Sequence, residues 1–166
     1  MALNKLFSQL EQELEANGSL EKSMDTLRNY DGKDWIQYIR TIVTDIYENN
    51  KKQYYKFLVH KSSSISMYVV TWDDHSESKI HTHPEKGCIM KLLSGKLVEE
   101  TYVRIKDSVQ LINKTDVDVG DIGYKFGDNI LHKIYNVSDT DLGENASVSR
   151  HIYADANYIC KAYKDV

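Results

Sequence analysis

The strongest constraint on the fold is a change of texture near residue 53. Beyond it the chain breaks into short β-rich runs: "YYKFLVH", "SISMYVVTW", "GCIMKLLSG", "KLVEETYVRI", "VQLIN", "IGYKF", "HKIYNV", "SVSRHIYA" and "YICKAY". Turn formers separate them, among them Lys61-Ser62-Ser63-Ser64, Asp73-Asp74, Ser94-Gly95, Gly120-Asp121 and Gly127-Asp128-Asn129. Many short strands at even spacing predict a sandwich or a closed barrel, the arrangements that leave few sheet edges open.

Before that point the period is helical. Leu3, Leu6, Phe7, Leu10 and Leu14 recur at three- and four-residue spacing, which predicts a helix from Leu3 to Ala16 stopped by Asn17-Gly18. A second helix is expected from Leu20 to Asn29, opened by Ser19. A third is expected from Asp34 to Tyr47, where Trp35, Tyr38, Ile39, Ile42, Val43 and Ile46 share a face. The polar run Glu48-Asn49-Asn50-Lys51-Lys52 marks the change of architecture. At 166 residues the chain buries enough surface to fold without disulfide or zinc staples. The reading is therefore one mainly β domain over 1–166, with a helical cap at 1–50 packed on a small barrel at 51–166.

Composition narrows the partners. Lys and Arg number 21 against 25 Asp and Glu, a formal charge of −4, and no basic stripe marks a nucleic-acid footprint. Cys88 and Cys160 lie far apart with no CxxC, which suits a reducing compartment. The opening "MALNKLFSQLEQELEANG" carries Glu11, Glu13 and Glu15, so it lacks the apolar core of a signal peptide, and no run approaches membrane-spanning length. A soluble, cytoplasmic chain with no nucleic-acid or membrane partner is expected.

The chemistry concentrates in "HTHPEKGC", residues 81 to 88. On a strand, His81 and His83 leave the same face and can share one ion; on a helix they would diverge. An isolated HxH is more often two exposed histidines, so the context matters. Downstream, "GDIGYKFGDNILHKIYN" offers His132 with Asn136 four positions on. The segment from His81 to Gly95 resembles the first cupin motif, and His132 with Asn136 resembles the tail of the second. The usual proline of that second motif is absent, with Phe126 near its place. The resemblance implies a cupin barrel, small or jelly-roll-like, whose metal is held by His81, His83 and His132. Cys88 occupies the position of the cupin carboxylate ligand, and Glu85 is too close to His83 to fill it. A divalent ion held only by neutral imidazoles keeps its full charge and several open positions, which favours anionic ligands such as a thiolate.

HxH, four residues, a cysteine, a distant histidine and then Ser149, His151 and Tyr153 in "SVSRHIY" together resemble the mammalian-type cysteine dioxygenase family. The resemblance extends to "LRNYDGKDWIQYI", "YYKFLV" and "MYVVTW", so it runs from about residue 20 to Cys160. It implies Fe(II), a thioether between Cys88 and Tyr153 as a protein-derived cofactor, and oxidation of L-cysteine by O2 to cysteine sulfinate. It also implies that His151 and Ser149 orient the Tyr153 hydroxyl, and that Lys56, with Tyr54, receives the substrate carboxylate. The family usually places an arginine at that clamp. A lysine pairs as a point charge without the planar two-pronged grip, which leaves another small thiol, 3-mercaptopropionate or cysteamine, as the alternative substrate. A cupin that binds a metal or small ligand without turnover is the alternative of another class. A monomer is expected.

Each residue also has an ordinary reading. Cys88 alone is a small buried hydrophobe, Tyr153 a satisfied core tyrosine, His151 a buried histidine, and Lys56 a solvent-facing strand residue. Period-two spacing nevertheless puts Ser149, His151 and Tyr153 on one face of a strand. Cys160 matches a family cysteine and is assigned to packing or surface chemistry, while His60 and His75 have no partner at useful spacing.

Overall fold

The computed structural model describes residues 2–39, 54–73, 75–137 and 147–163. Helix α1 spans Leu3–Asn17 and buries Leu6, Phe7, Leu10 and Leu14, the face expected from their spacing. It stops because Gly18 turns left-handed at φ 74° and returns its N–H to the Leu14 carbonyl at 2.8 Å. Burying each leucine of this stripe contributes about 1.5–3 kcal/mol.

The single helix expected from Leu20 to Asn29 is divided into a 3₁₀ turn, Glu21–Ser23, and a short α2, Met24–Arg28. Tertiary contacts cause the division. The Leu20 N–H is tied to the Lys86 carbonyl at 2.9 Å, and the Lys91 ammonium donates to the carbonyls of Leu27, Arg28 and Tyr30 at 3.2, 2.8 and 2.7 Å, ending the helix. Of the third helix, Asp34 and Trp35 form a turn, residues 36–39 are helical, and residues 40–47 lie outside the described residues.

The β region forms two antiparallel five-stranded sheets among the described residues. In chain order the strands are β1 Tyr54–Lys61, β2 Ile65–Trp72, β3 Ile80–His81, β4 Cys88–Ser94, β5 Leu97–Ile105, β6 Ser108–Val117, β7 Ile122–Lys125, β8 Ile130–Asn136, β9 Ser147–Ala154 and β10 Ala162–Tyr163. One sheet is ordered β1-β2-β9-β4-β7 and the other β10-β3-β8-β5-β6. The fold is thus mainly β, as expected.

Two cores result. Leu6, Leu10 and Leu27 of the helical cap pack against Met67, Ile89 and Ile152 on the outer face of the first sheet. Between the sheets lie Val70, Trp72, Met90, Leu92, Leu97 and Ile134. The strands shared by both cores lose the polar/apolar alternation of a half-exposed sheet, and β9 is buried at all eight positions. Two of its neighbouring charges are buried as well. Lys91 and Arg150 are cross-strand partners facing the cap. Lys91 is held by the three carbonyls at the C-terminal end of α2. Arg150 donates to Asp34 Oδ1 at 2.7 Å and lies over the Tyr30 ring, its centre 5.1 Å from the centroid.

Two runs differ from the sequence expectation. "VQLIN" belongs to a ten-residue strand because β5 supplies its hydrogen-bond partners along the whole length, although β6 buries only Val109 and Val117. "YICKAY" is strand only at Ala162–Tyr163, the two residues that reach β3. No helix among the described residues is long and apolar enough to cross a membrane.

Candidate metal centre

The HxH element is built from a two-residue strand and the extended segment after it. His81 ends β3, and His132 of β8 is its direct partner in register. His83 lies beyond the strand, held by its N–H to the Gly127 carbonyl at 3.1 Å. Thr82, between them, turns the other way to Tyr158 OH at 2.5 Å. Both histidines therefore point to the same place, though only one sits in regular sheet.

The Nε2 atoms of His81 and His83 stand 3.1 and 2.9 Å from Nε2 of His132. The hydrogen-bond partners on the far side of each ring decide what these contacts are. His81 Nδ1 donates to the Lys79 carbonyl at 2.7 Å, and His132 Nδ1 donates to Glu99 Oε2 at 2.8 Å. Both rings therefore turn an unprotonated Nε2 lone pair toward the cluster. Burial lowers the pKa of all three rings, well below the ordinary value for His83 and His132, so they are neutral. Lone pairs converging at this distance repel unless a cation lies between them. Ligand bonds of about 2.0–2.1 Å meeting near right angles put nitrogens about 3 Å apart, so the donor set fits one divalent ion. The ligand atoms of His81, His83 and His132 lie within 4.8 Å of one another.

Beside the cluster is a cavity of about 240 Å³, walled by Tyr54, Lys56, Trp72, His81, His151 and Tyr153 among others. Lys56 is open toward the cavity mouth, yet its ammonium lies 4.4 and 4.2 Å from the ring centroids of Tyr68 and Tyr153, and desolvation lowers its pKa. Tyr54 stacks on Trp72 at 4.9 Å. Cys160, expected in packing or at the surface, is on the cavity wall.

On β9, Ser149, His151 and Tyr153 share the inner face. Trp72 Nε1 donates to Ser149 Oγ at 2.9 Å, so the Ser149 hydroxyl gives its own proton to His151 Nε2 at 2.8 Å. His151 is thereby fixed as the Nδ1–H tautomer, and burial, reinforced by Lys56 and His81, pushes its pKa down to about 3. The Tyr153 ring lies nearly parallel to His151, centroids 6.2 Å apart. Burial and the neighbouring Cys88 push its hydroxyl well above the ordinary tyrosine range. Cys88 is the direct cross-strand partner of Tyr153, its thiol pushed up to about 12 by burial against the easing pull of Lys56.

Trp72, Glu99 and Lys125 were not legible as site residues. Glu99 is two positions from Thr101, the register partner of His132, so only strand pairing reveals it. Lys125 Nζ meets Glu99 Oε1 at 3.4 Å from the other sheet. Asn136 is a brace and not a ligand: it donates to the carbonyls of Trp72 and Asp73 at 3.0 and 3.1 Å and accepts from Ser147 Oγ at 2.9 Å. His60 packs edge-on against Phe7.

Comparison with known proteins adds an independent observation. A family model described as Cysteine dioxygenase type I matches residues 2–166. Cysteine dioxygenase type 1 of Rattus norvegicus is 29% identical over 105 residues, 61% of this chain and 50% of that protein. The Danio rerio protein of the same name is 21% identical over 152 residues, 87% of this chain and 70% of its own length. The chain thus spans about half the length of the rat relative. Among solved structures, an uncharacterised Klebsiella pneumoniae protein with a double-stranded β-helix domain superposes with a TM-score of 0.51 at 17% identity, covering 68% of this chain and 86% of that one, a likeness of fold alone.

Proposed function

We propose, on the premise that this chain belongs to the cysteine dioxygenase type I family, that it is a thiol dioxygenase converting L-cysteine and O2 to cysteine sulfinate. The observation that carries this reading is the convergence of His81, His83 and His132 beside a cavity whose wall includes His81, His132, Lys56 and Tyr153. These three histidines would hold Fe(II), which supplies open positions for a thiolate and O2 and ionises the substrate thiol at neutral pH.

The chain's own residues do the rest. Lys56 pairs with the substrate carboxylate at the cavity mouth, and Tyr54 adds a hydroxyl. In a space of about 240 Å³, an amino acid fixed at that end keeps its sulfur close to the imidazoles, which lowers the entropic part of the barrier. Tyr153, held protonated, offers its O–H where negative charge develops on sulfur and oxygen. His151, Ser149 and Trp72 keep that hydroxyl and its surroundings in one arrangement. Sulfur loses four electrons and O2 gains four, so no outside reductant enters.

Cys88 and Tyr153 face each other across adjacent strands, which favours a thioether between them. Its formation removes two hydrogens, with O2 as the acceptor. Aerobically purified protein is expected to weigh two hydrogens less than its sequence, and Cys88→Ser to weigh what its sequence dictates.

The deciding experiment measures O2 uptake by Fe(II)-loaded protein with L-cysteine, 3-mercaptopropionate and cysteamine in turn. Uptake with matching cysteine sulfinate supports the reading; no uptake with any thiol leaves a barrel that binds without turnover. A second substrate reading is favoured by Lys56, whose single ammonium grips a carboxylate less selectively than a guanidinium. Lys56→Arg should raise turnover on cysteine alone. Faster wild-type turnover on the amine-free acid would instead make 3-mercaptopropionate the substrate.

A further inference from the structure

Three imidazoles carry no net charge, so a divalent ion held by them alone keeps all of its own, beside the Lys56 ammonium, inside a largely buried site. Such charge is costly to bury unless something opposes it. The nearest opposing group lies one residue further out. Glu99 Oε2 accepts the Nδ1–H of His132 at 2.8 Å, and the other oxygen of the same carboxylate faces Lys125 Nζ at 3.4 Å. The two side chains are 16% and 18% exposed.

The three histidines are therefore unequal. His132 is backed by a carboxylate and His81 by a neutral carbonyl, while His83 Nδ1 finds no hydrogen-bond partner among the described residues. A carboxylate behind a ligating imidazole fixes its tautomer and makes it a stronger donor. Glu99 comes from β5, and Lys125 from β7, where it is the cross-strand partner of Cys88. The pair thus joins the two sheets beside the cluster. The shorter contact of the carboxylate is to His132 and not to Lys125, which argues against a plain inter-sheet ion pair.

We infer that Glu99 and Lys125 set the charge of the metal centre: Glu99 lends negative charge to the ion through His132, and Lys125 draws part of it away. Glu99 does from behind His132 what no residue among those described does as a direct ligand, and it acts as a positioning residue. This rests on the reading that the three histidines hold a divalent ion.

The two partners of a simple ion pair should weaken the protein alike when either is removed. The two members of a charge-setting pair should move metal affinity in opposite directions. Glu99→Gln keeps the size and an oxygen that can accept from His132, but it removes the charge and leaves the Lys125 ammonium uncompensated. Its Kd for Co(II), measured by equilibrium dialysis, is expected to rise about 10–100-fold. Lys125→Met frees the carboxylate for His132 and is expected to bind Co(II) more tightly than the parent, and the double variant should fall between the two. The Fe(III)/Fe(II) midpoint potential should rise in Glu99→Gln and fall in Lys125→Met. Circular dichroism and melting temperature establish that each variant is folded; if Glu99→Gln is not, the Lys125→Met arm decides alone. Affinity shifts in the same direction, or a Lys125→Met variant that binds no tighter, overturn the inference while leaving the metal site standing. A wild-type protein that binds no Co(II) overturns the site itself, and this inference with it.

Discussion

The indole N–H of Trp72 has one acceptor, Ser149 Oγ, and that bond sets the direction of the hydrogen bonds after it. Trp72→Phe keeps an aromatic ring against Tyr54 but releases the Ser149 hydroxyl, so His151 loses its fixed tautomer. A net hydrogen bond of about 1–1.5 kcal/mol corresponds to roughly a tenfold change in rate. We expect kcat on L-cysteine to fall by about that factor with KM little changed, as steady-state O2 uptake would measure. The site was legible in the sequence where its residues are close along the chain: His81 with His83, and Ser149 with His151 and Tyr153. His132 and Lys56 were reached only through resemblance to a family. Trp72 and Ser149 are 77 residues apart, and Glu99 and His132 are 33 apart, so nothing in local spacing announces those pairs. Cys160, assigned to packing or surface chemistry, is half-buried on the cavity wall, because its segment leaves the strand expected of "YICKAY".

At the level of elements, the joint between the helical cap and the first sheet depends on buried charge. Arg150→Leu removes the counter-charge of Asp34 and the cation over Tyr30, and leaves a half-buried carboxylate held by the Tyr30 hydroxyl at 3.0 Å. The expected loss is about 3–5 kcal/mol in urea unfolding. The β4–β5 turn is equally intolerant. Gly95 has φ 82°, and a Cβ there would lie 2.7 Å from Ser147 Cα, a backbone atom that cannot step aside. Gly95→Ala should therefore cost about 1–3 kcal/mol and lower the melting temperature measurably. Strand texture, α1 and the position of the architectural change were readable because period and turn chemistry are local. The division of the second helix was not, since it depends on the Lys86 carbonyl in the turn before β4 and on Lys91 reaching over from β4.

For the molecule as a whole, the buried imidazoles tie stability to pH and to metal. In metal-free protein, burial lowers the pKa of His81, His83, His132 and His151 from the ordinary 6.5, for His151 to about 3. An unfolded chain takes up protons near pH 6.5, and the folded one does so only at lower pH. Acid therefore favours unfolding: this contribution is complete above about pH 6.5 and is lost as the pH falls toward 3. The urea midpoint of metal-free protein should hold nearly level from pH 7.5 to about 6.5 and then drop steadily toward pH 5. Co(II) at a hundredfold excess over its Kd should add about 2.7 kcal/mol at neutral pH and raise the melting temperature, because it binds the neutral imidazoles of the native state. Strand β9, buried on both sides, has a further consequence. A slip of one residue would thrust Arg150 into the barrel and His151 under the helices, and neither environment could accept its new tenant. Misassembled forms of this strand are thus selected against on both surfaces at once, and the face beside the imidazoles inherits its accuracy from a seam on the far side of the sheet.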